Sequence, residues 1–250
     1  MEADSIIKTI DLTKRYGRQT AVDGLSFEIR EGEVFGFLGP NGAGKTTTLL
    51  MLLGLSKPSC GFARVFDLDP LRNPVEVKRR VGFLPENVGF YGDLDAIRSL
   101  EYVASLNGIQ KEQAREKGYS LLEMVGLGKD AHKRVGTFSR GMHQRLGIAE
   151  VLIKEPGVLF LDEPTLGLDP DGAHRIMDLI KTLNEERGIS VLLSSHNLHH
   201  VQKISHRVGI MIGGRMVAEG SIPSLAKQKL GVDEGAYSLE EIYMKYFQAD

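Results

Sequence analysis

The sequence predicts an α/β protein: a largely parallel β-sheet core that carries helices, an N-terminal antiparallel β subdomain and an inserted α-helical subdomain. Short apolar segments of strand length alternate with segments of helical spacing. Between residues 86 and 149 the strand signal nearly disappears while helical spacing continues. With 42% hydrophobic and 26% charged residues, a chain of 250 residues can form a core without disulfides. We therefore expect one domain with an embedded subdomain.

Two short antiparallel strands are predicted within the first thirty residues. Residues 6–12 are rich in β-branched side chains, and Tyr16-Gly17 interrupts this pattern. Residues 21–30 resume it with apolar side chains at alternating positions. These strands make up the predicted β subdomain.

The central sheet is predicted from four apolar segments and the helices between them. Segments that are apolar at nearly every position are typical of strands buried on both faces of a parallel sheet. The predicted strands cover residues 33–38, 81–84, 157–161 and 189–194. The predicted helices beside them cover residues 46–55 and 173–186.

The remaining elements are predicted outside this sheet. Helical spacing recurs at 94–106 and 113–125, and a hairpin of residues 208–212 and 216–219 turns at a Gly-Gly pair, which accepts positive φ. An apolar stripe at 238–247 predicts a helix that packs on its own domain, with a dimer or partner contact as the alternative. The chain is thus divided into a core with the β subdomain (1–85 and 150–220), a helical subdomain (86–149) and a helical tail (221–250).

The net charge and the length of the apolar segments argue against several classes of protein. Lys and Arg number 31 against 33 Asp and Glu, a formal net charge of −2, which argues against a strongly basic nucleic-acid-binding protein. No apolar run approaches the about 18 residues of a membrane-spanning helix, and the start MEADSIIKTI lacks the features of a signal peptide. Cys60 is the only cysteine, which suits a reducing compartment. We expect a cytosolic protein whose role at a membrane, if any, depends on a partner.

A glycine-rich loop carries the first chemical signal. The segment GPNGAGKTT at 39–47 fits G-x-x-x-x-G-K-[ST] and lies between a predicted strand and a predicted helix. Glycines let backbone N–H groups surround a phosphate, and the helix start adds further N–H groups and its positive dipole end. Lys45 can reach the β- and γ-phosphates, and the Thr46 hydroxyl suits Mg²⁺. The alternative is a glycine-rich turn without a ligand. We predict a P-loop NTPase core whose nucleotide contacts are Gly39, Pro40, Asn41, Gly42, Ala43, Gly44, Lys45, Thr46 and Thr47.

Two adjacent carboxylates end a predicted strand in VLFLDEP, residues 158–164. Parallel sheets bind ligands at the carboxyl ends of their strands. We predict that Asp162 holds Mg²⁺ through water and that Glu163 orients and deprotonates the attacking water. Alone, the pair is equally compatible with two turn carboxylates. Helicases, recombinases and partitioning ATPases also combine a phosphate loop with such a pair, so these two motifs do not choose among NTPases.

FSRGMHQR at 138–145 resembles the signature motif of ATP-binding cassette (ABC) ATPases, which is approximately LSGGQ followed by Gln-Arg. Ser139 and Gly141 match this pattern, whereas Phe138, Arg140 and Met142 differ from it. In isolation the segment predicts only the N-cap of a helix. The resemblance extends over about residues 5 to 220 because further motifs follow in family order, and Met142 is familiar in cassettes of drug, lipid and polysaccharide exporters.

Four further residues take their interpretation from this resemblance. Tyr16 matches the aromatic residue that stacks on adenine, and Asp169 in LGLDP matches the loop that crosses the dimer interface. His196 matches the switch histidine that contacts the γ-phosphate, although a single histidine after a strand is more often an ordinary surface residue. Glu86 replaces the usual Gln in the loop before the helical insertion; as a carboxylate it can still contact Mg²⁺ or its water.

The resemblance implies a head-to-tail dimer in which each ATP lies between one chain's phosphate loop and the other chain's Ser139 and Gly141. It implies ATP hydrolysis with Lys45, Glu163 and His196 as catalytic residues, and ATP and Mg²⁺ as cofactors. It further implies the ATPase subunit of an exporter, peripheral on the cytoplasmic side of the membrane. The expected partners are a separate transmembrane permease, received near residues 86–91, and a second ATP-binding subunit in a homodimer, without nucleic acid.

Other interpretations are weighed against this one. A soluble ABC ATPase in assembly, translation or DNA repair would usually carry two cassettes or a long coiled coil, and neither is present. A P-loop kinase would leave Ser139, Gly141, Asp169 and His196 as coincidences. Histidines 196, 199, 200 and 206 lack the spacing of a metal motif, and residues 78–80 are expected to be a solvated basic helix end.

Overall fold

The computed structural model describes residues 5–231 and 237–247. Its strands are β1 (Ser5–Tyr16), β2 (Gln19–Arg30), β3 (Val34–Leu38), β4 (Cys60–Val65), β5 (Val81–Leu84), β6 (Val158–Asp162), β7 (Ser190–Ser195), β8 (Arg207–Ile212) and β9 (Arg215–Gly220). Its α-helices are α1 (Lys45–Leu52), α2 (Pro74–Arg80), α3 (Ala96–Leu106), α4 (Lys111–Met124), α5 (Arg140–Leu152), α6 (Pro170–Arg187), α7 (Leu198–Ile204), α8 (Ile222–Leu230) and α9 (Leu239–Phe247). None of the helices in these residues has the length and apolar character that crossing a membrane requires.

The N-terminal sheet is antiparallel, with strand order β2-β1-β4. Its first two strands confirm the predicted β subdomain, but each has twelve residues and is longer than predicted. The break at Tyr16-Gly17 is only a tight turn, because Gly17 adopts a φ of 59° and the pairing continues on both sides. The inner face of this sheet packs on the central sheet, where Phe27 stacks on Phe35 and Phe37 at 5.8 and 5.7 Å. Strand β4 was not predicted, since only two of its six residues are buried.

The central sheet confirms the predicted parallel core. Its order is β5-β6-β7-β3-β8-β9, and only β9 runs antiparallel to its neighbour. Every residue of β3 and β6 is buried, which explains their continuous apolar sequences. The hairpin of β8 and β9 turns at Gly213 and Gly214, both with positive φ, as predicted. The carboxyl ends of β3 and β6 therefore face the same edge of the sheet, with β7 between them.

The helical insertion contains α3, α4 and most of α5. Helices α3 and α4 begin and end within two residues of the predicted bounds. They pack against each other and against α5 through fully buried side chains such as Leu100, Leu122 and Leu146. In the core, α1 ends at Leu52, three residues before the predicted end, because Gly54 already adopts a left-handed φ of 67°.

The C-terminal helix α9 packs against α7 and α8 of its own domain, as expected. Leu239 and Ile242 are completely buried there, and the Leu239 N–H donates to Gln202 Oε1 at 2.7 Å. Helix α8 was not predicted. Of the predicted tail, residues 232–236 and 248–250 lie outside the described residues.

Candidate functional site

The predicted phosphate loop connects β3 to α1, and two of its glycines have no room for a side chain. A Cβ on Gly44, at a φ of 104°, would lie 2.4 Å from the Ala21 carbonyl oxygen. A Cβ on Gly39 would lie 2.3 Å from the Met211 carbonyl oxygen. No side chain caps the start of α1, so its first backbone N–H groups remain available to an anion. The loop therefore has the close backbone packing and open helix end that a phosphate site requires.

Lys45 lies inside this loop and is 6% exposed. Its Nζ donates to the Gly39 oxygen at 2.7 Å and to the Pro40 oxygen at 3.2 Å. The same Nζ is 3.6 Å from Glu163 Oε1. The ammonium group is thus held by loop carbonyls and a carboxylate at the place where phosphate oxygens are expected, which satisfies a charge that is removed from water.

Asp162 is the centre of a hydrogen-bonded group at the carboxyl end of β6. Thr46 Oγ1 donates to its Oδ2 at 2.7 Å, and Ser194 Oγ donates to its Oδ1. The hydroxyl and carboxylate oxygens are hard ligands that fit Mg²⁺, which usually binds one or two protein groups and completes its shell with water and phosphate. Among the described residues, no group of three or more His, Cys, Asp or Glu forms a complete metal site. Sequence reasoning missed Ser194, whose signal is its place near the end of the neighbouring strand β7.

Glu163 contacts both of the other predicted catalytic residues, Lys45 and His196. It is 7% exposed and has a φ of 50°, an unusual backbone conformation for a non-glycine residue. His196 contacts Glu163 Oε2 through its Nδ1 at 2.9 Å and its backbone N–H at 3.2 Å. Glu163 Oε1 is buried and accepts no hydrogen bond within the described residues. The structure therefore brings Lys45, Glu163 and His196 together from three elements, with Lys45 Nζ 3.6 Å from the oxygen that accepts no hydrogen bond.

Lys45, Asp162 and Glu163 line one cavity of about 400 Å³. Of the predicted residues, Gly39, Pro40 and His196 are not part of its lining. Tyr16 lies at its mouth and is 52% exposed, so one face of its ring is accessible. Glu86 lines the cavity as well, at the start of the segment that leads to the helical insertion. Gln19 and Ala21, which sequence reasoning did not select, also line it. The complete lining is Tyr16, Gln19, Ala21, Asn41, Gly42, Ala43, Gly44, Lys45, Thr46, Thr47, Glu86, Asp162 and Glu163.

The signature residues lie elsewhere on the chain. Ser139 caps α5, with its Oγ accepting from the Met142 N–H at 3.3 Å. Asp169 caps α6 in the same way, with Oδ1 accepting from the Gly172 N–H at 2.6 Å. Together with Gly141 they line a separate cavity of about 300 Å³. One chain therefore presents two incomplete anion-binding regions, and the structure does not join them.

The histidines of α7 lie among hydrophobic and aromatic neighbours. His200 is buried between His174 and His199, with ring centroids at 5.6 and 6.2 Å. Burial, followed by these two histidines and Lys203, lowers the pKa of His200. His206, directly before β8, accepts the Val34 N–H at 2.9 Å through Nδ1 and so connects the segment after α7 to β3. These contacts give the histidines packing roles.

A groove separates the core from the helical insertion. Its floor is apolar and encloses about 290 Å³. The adjoining cavity of about 740 Å³ is lined by four cations, Lys78, Arg79, Lys117 and Lys154. Three large apolar side chains that line the groove are more than half exposed: Leu55, Val75 and Leu106. The basic run at 78–80, expected to be only solvated, contributes Lys78 and Arg79 to this groove, whereas residues 86–91, where the permease was expected, are not part of its lining.

Known proteins resemble the chain in sequence and in structure. Residues 22–166 match the protein family described as ABC transporter. The bacitracin transport ATP-binding protein of Bacillus licheniformis is 45% identical over 224 residues, which is 90% of this chain and 72% of that protein. The Nod factor export ATP-binding protein I of Paraburkholderia xenovorans is 38% identical, over 92% of this chain and 75% of that protein.

Two solved structures extend the comparison. The ATP-binding subunit of an ABC transporter superposes with a TM-score of 0.86 at 28% identity and covers 97% of this chain and 100% of its own. A dimeric ATP-binding cassette in a post-hydrolysis state, bound to ADP and Pi, superposes with a TM-score of 0.77 at 27% identity, over 86% of this chain and 98% of its own.

Proposed function

Because this chain belongs to the ABC transporter family, as an ATP-binding and ATP-hydrolysing cassette, we propose that it drives export through a separate transmembrane permease. In this proposal it works as a head-to-tail homodimer at the cytoplasmic side of the membrane. Relatives named for bacitracin transport and Nod factor export support the transport role. The same names do not favour the alternative, a soluble ABC ATPase in assembly, translation or DNA repair.

The observation that carries the proposal is the separation of the two cavities. The cavity around Lys45 holds groups for phosphate, magnesium and water activation. The cavity around Ser139 offers a hydroxyl, the N-terminus of α5 and the loop before α6. A nucleotide bound in the first cavity of one copy gains these contacts only from a second copy, as the dimeric cassette among the structural relatives supports.

The proposed mechanism assigns one task to each group around ATP. The Tyr16 ring stacks on adenine, and the backbone N–H groups of residues 41–47 hold the phosphates. Lys45 exchanges its carbonyl contacts for the β- and γ-phosphates. Thr46 and Asp162 would hold Mg²⁺, with Glu86 beside them, and the ion would neutralise phosphate charge when bound.

Water activation falls to Glu163. Once Lys45 has moved to the phosphates, Glu163 Oε1 takes the proton of the attacking water, while His196 holds Oε2 and contacts the γ-phosphate. The water oxygen bonds to the γ-phosphorus, the bond from that phosphorus to the β-phosphate oxygen breaks, and ADP and phosphate are the products. Ser139 and Gly141 of the second copy bind the γ-phosphate, and the Asp169 loop crosses the interface. Cleavage removes the group that joins the two copies, so the dimer opens.

The groove is the proposed seat of the permease. Leu55, Val75 and Leu106 offer exposed apolar surface at the boundary between the core and the helical insertion. Residues 86–91, where the resemblance places the permease, lead from the nucleotide cavity at Glu86 into that insertion. Exposed apolar patches of this kind mark interaction sites. In this proposal, residues 86–149 act as the signature subdomain, residues 1–85 and 150–220 as the ATPase core, and residues 221–250 as a tail.

The proposed dimer is tested with Glu163→Gln. Loss of the base should reduce turnover about 100-fold or more while ATP stays bound. The variant should therefore elute as a dimer in size-exclusion chromatography with saturating Mg-ATP. Glu185→Gln, a change on the exposed face of α6, should behave like the parent chain. Lys45→Ala should lose nucleotide binding itself.

Two results would contradict the proposal. Monomer elution of Glu163→Gln under saturating Mg-ATP would exclude the shared nucleotide site. ATPase activity that is stimulated only by ribosomes or DNA, without co-purification of a polytopic membrane protein, would exclude the transport role.

A further inference from the structure

Arg140, the first residue of α5, lies flat against the loop before α6. A Cβ built on Gly167 would be 2.5 Å from Arg140 Nη1, 2.6 Å from Cζ and 2.9 Å from Nε. The guanidinium plane therefore occupies the space of a side chain at position 167. Gly167 has a φ of 70°, so the loop is already shaped for a residue without a Cβ. Arg140 stands where the signature pattern has a glycine, so that pattern does not include this contact.

The surroundings of Arg140 do not explain why a positive charge lies at the start of α5. A cation in the first turn of a helix opposes the helix dipole. Within residues 5–231 and 237–247, the Arg140 guanidinium makes no hydrogen bond or ion pair. Two nearby arginines are satisfied: Arg145 donates to the Val125 and Gly126 oxygens at 3.1 and 2.9 Å, and Arg175 pairs with Asp171. The main contact of Arg140 is thus the backbone of the loop.

The loop at residues 165–169 begins two residues after Glu163 and ends at Asp169. Its own bonds are short-range: the Leu166 N–H donates to the Glu163 oxygen and the Leu168 N–H to the Thr165 oxygen. Helix α5, in contrast, starts in the helical insertion. The Arg140 contact therefore adds a link between two segments, residues 138–142 and 165–169, which already pack on one hydrophobic core through apolar side chains.

We propose that Arg140 is a positioning residue that holds the signature segment (residues 138–142) and the loop at 165–169 as one rigid face for the second copy. The inference rests on the proposed nucleotide-sandwich dimer. Holding both segments in their docking arrangement reduces the ordering that dimer formation requires. A planar guanidinium suits this contact because it lies flat on a peptide, whereas a lysine ammonium of equal charge does not.

The test compares Arg140→Gly, Arg140→Lys and Gly167→Ala in the Glu163→Gln chain. Sedimentation measures the dimer dissociation constant at saturating Mg-ATP, and a fluorescent ATP analogue measures binding to the single chain. All three variants should weaken the dimer about fivefold or more, with single-chain binding unchanged. In chains that retain Glu163, kcat should fall in all three variants. Thermal unfolding of the two Arg140 variants should stay at the parent temperature, whereas Gly167→Ala should unfold at a somewhat lower temperature because of the left-handed φ of 70°. Arg187→Lys, at the far end of α6, should match the parent.

A double-mutant cycle isolates the contact. Arg140→Gly combined with Gly167→Ala should weaken the dimer no more than either single change, because both remove the same interaction. Full additivity would overturn the inference. If Arg140→Lys has the same dimer dissociation constant as the parent, the inference is also overturned. Arg140 would then act through a charge contact with phosphate. If Glu163→Gln itself stays monomeric, the proposed function fails first.

Discussion

Around the nucleotide cavity, polar side chains form hydrogen bonds and ion pairs with other groups of the chain. Lys45 bonds to loop carbonyls, Thr46 to Asp162, and Glu163 to His196. Each is a group that a nucleotide, an ion or a water molecule would address. Binding therefore exchanges one set of hydrogen bonds for another, and the net gain per bond is small compared with its strength in isolation. The arrangement keeps buried charges satisfied without fixing them permanently.

The adenine contact is tested at Tyr16. Tyr16→Ala should weaken ATP binding about tenfold, because base–aromatic stacking is lost. Tyr16→Phe is the matched control and should bind like the parent, since the Tyr16 hydroxyl has only a 3.5 Å contact with Ser56. Titration with a fluorescent ATP analogue measures both. Equal affinities of the alanine variant and the parent would place adenine elsewhere.

At the scale of elements, helix α5 runs from the cavity at Ser139 to the groove between the core and the helical insertion. Its start presents Ser139 and Arg140 to the signature cavity, and near its end Glu150 faces the groove. Glu150 accepts a hydrogen bond from Ser99 Oγ at 2.9 Å, and the other charged residues that line this part of the groove are Lys78 and Lys154. Burial raises the pKa of Glu150 to about 7, against the smaller opposing effect of Ser99. Burial and Lys78 lower the pKa of Lys154.

The raised pKa of Glu150 makes the free energy of unfolding depend on pH. The folded chain holds a proton on Glu150 at pH values where the unfolded chain, with an ordinary value of 4.5, has lost it. The free energy of unfolding therefore decreases as the pH rises from 4.5 to about 7 and stays lower above it. Glu150→Gln should be about 2 kcal/mol more stable than the parent at pH 8 and nearly equal to it at pH 5.

Urea unfolding at the two pH values measures this difference. Glu185→Gln, on the exposed face of α6, should change stability little at either pH. An equal effect of Glu150→Gln at pH 5 and pH 8 would show that Glu150 titrates at its ordinary value.

At the scale of the whole molecule, the proposed dimer makes the cavities around Lys45 and Ser139 complementary halves of one site. A symmetric pair of chains would form two such sites, each with one half from either chain. The relation between the halves is set by the helical insertion, which places the start of α5 away from the phosphate loop. In such a pair, each chain would bind one nucleotide and would also complete the nucleotide site of the other chain.

Complementation tests this arrangement. Lys45→Ala damages the first half-site and Ser139→Ala the second, and each variant alone should be nearly inactive. An equal mixture should recover up to about a quarter of parental phosphate release, because half of the dimers are mixed and each mixed dimer has one intact site. A mixture with no more activity than its components would contradict a shared site.

The sequence alone determined the features that depend on adjacent residues. The phosphate loop needs glycines and a lysine at fixed spacing, buried parallel strands need apolar residues in succession, and a Gly-Gly turn needs positive φ. These requirements are local, so 39–47, the central strands and the hairpin could be predicted. Short or half-exposed elements such as β4, α2 and α8 have too little periodicity for such a prediction.

Tertiary structure decided which of these local features meet. The hydrogen bond from Ser194 to Asp162, the ion pair of Glu163 with Lys45 and the Arg140 contact with Gly167 all join segments that are distant in sequence. Local patterns specify the period of a helix or strand, but crossover connections and packing specify its neighbours. For this reason the lining of the groove and the shape of the two cavities became visible only in the folded chain, whereas the need for two chains at one nucleotide was already expected from the resemblance.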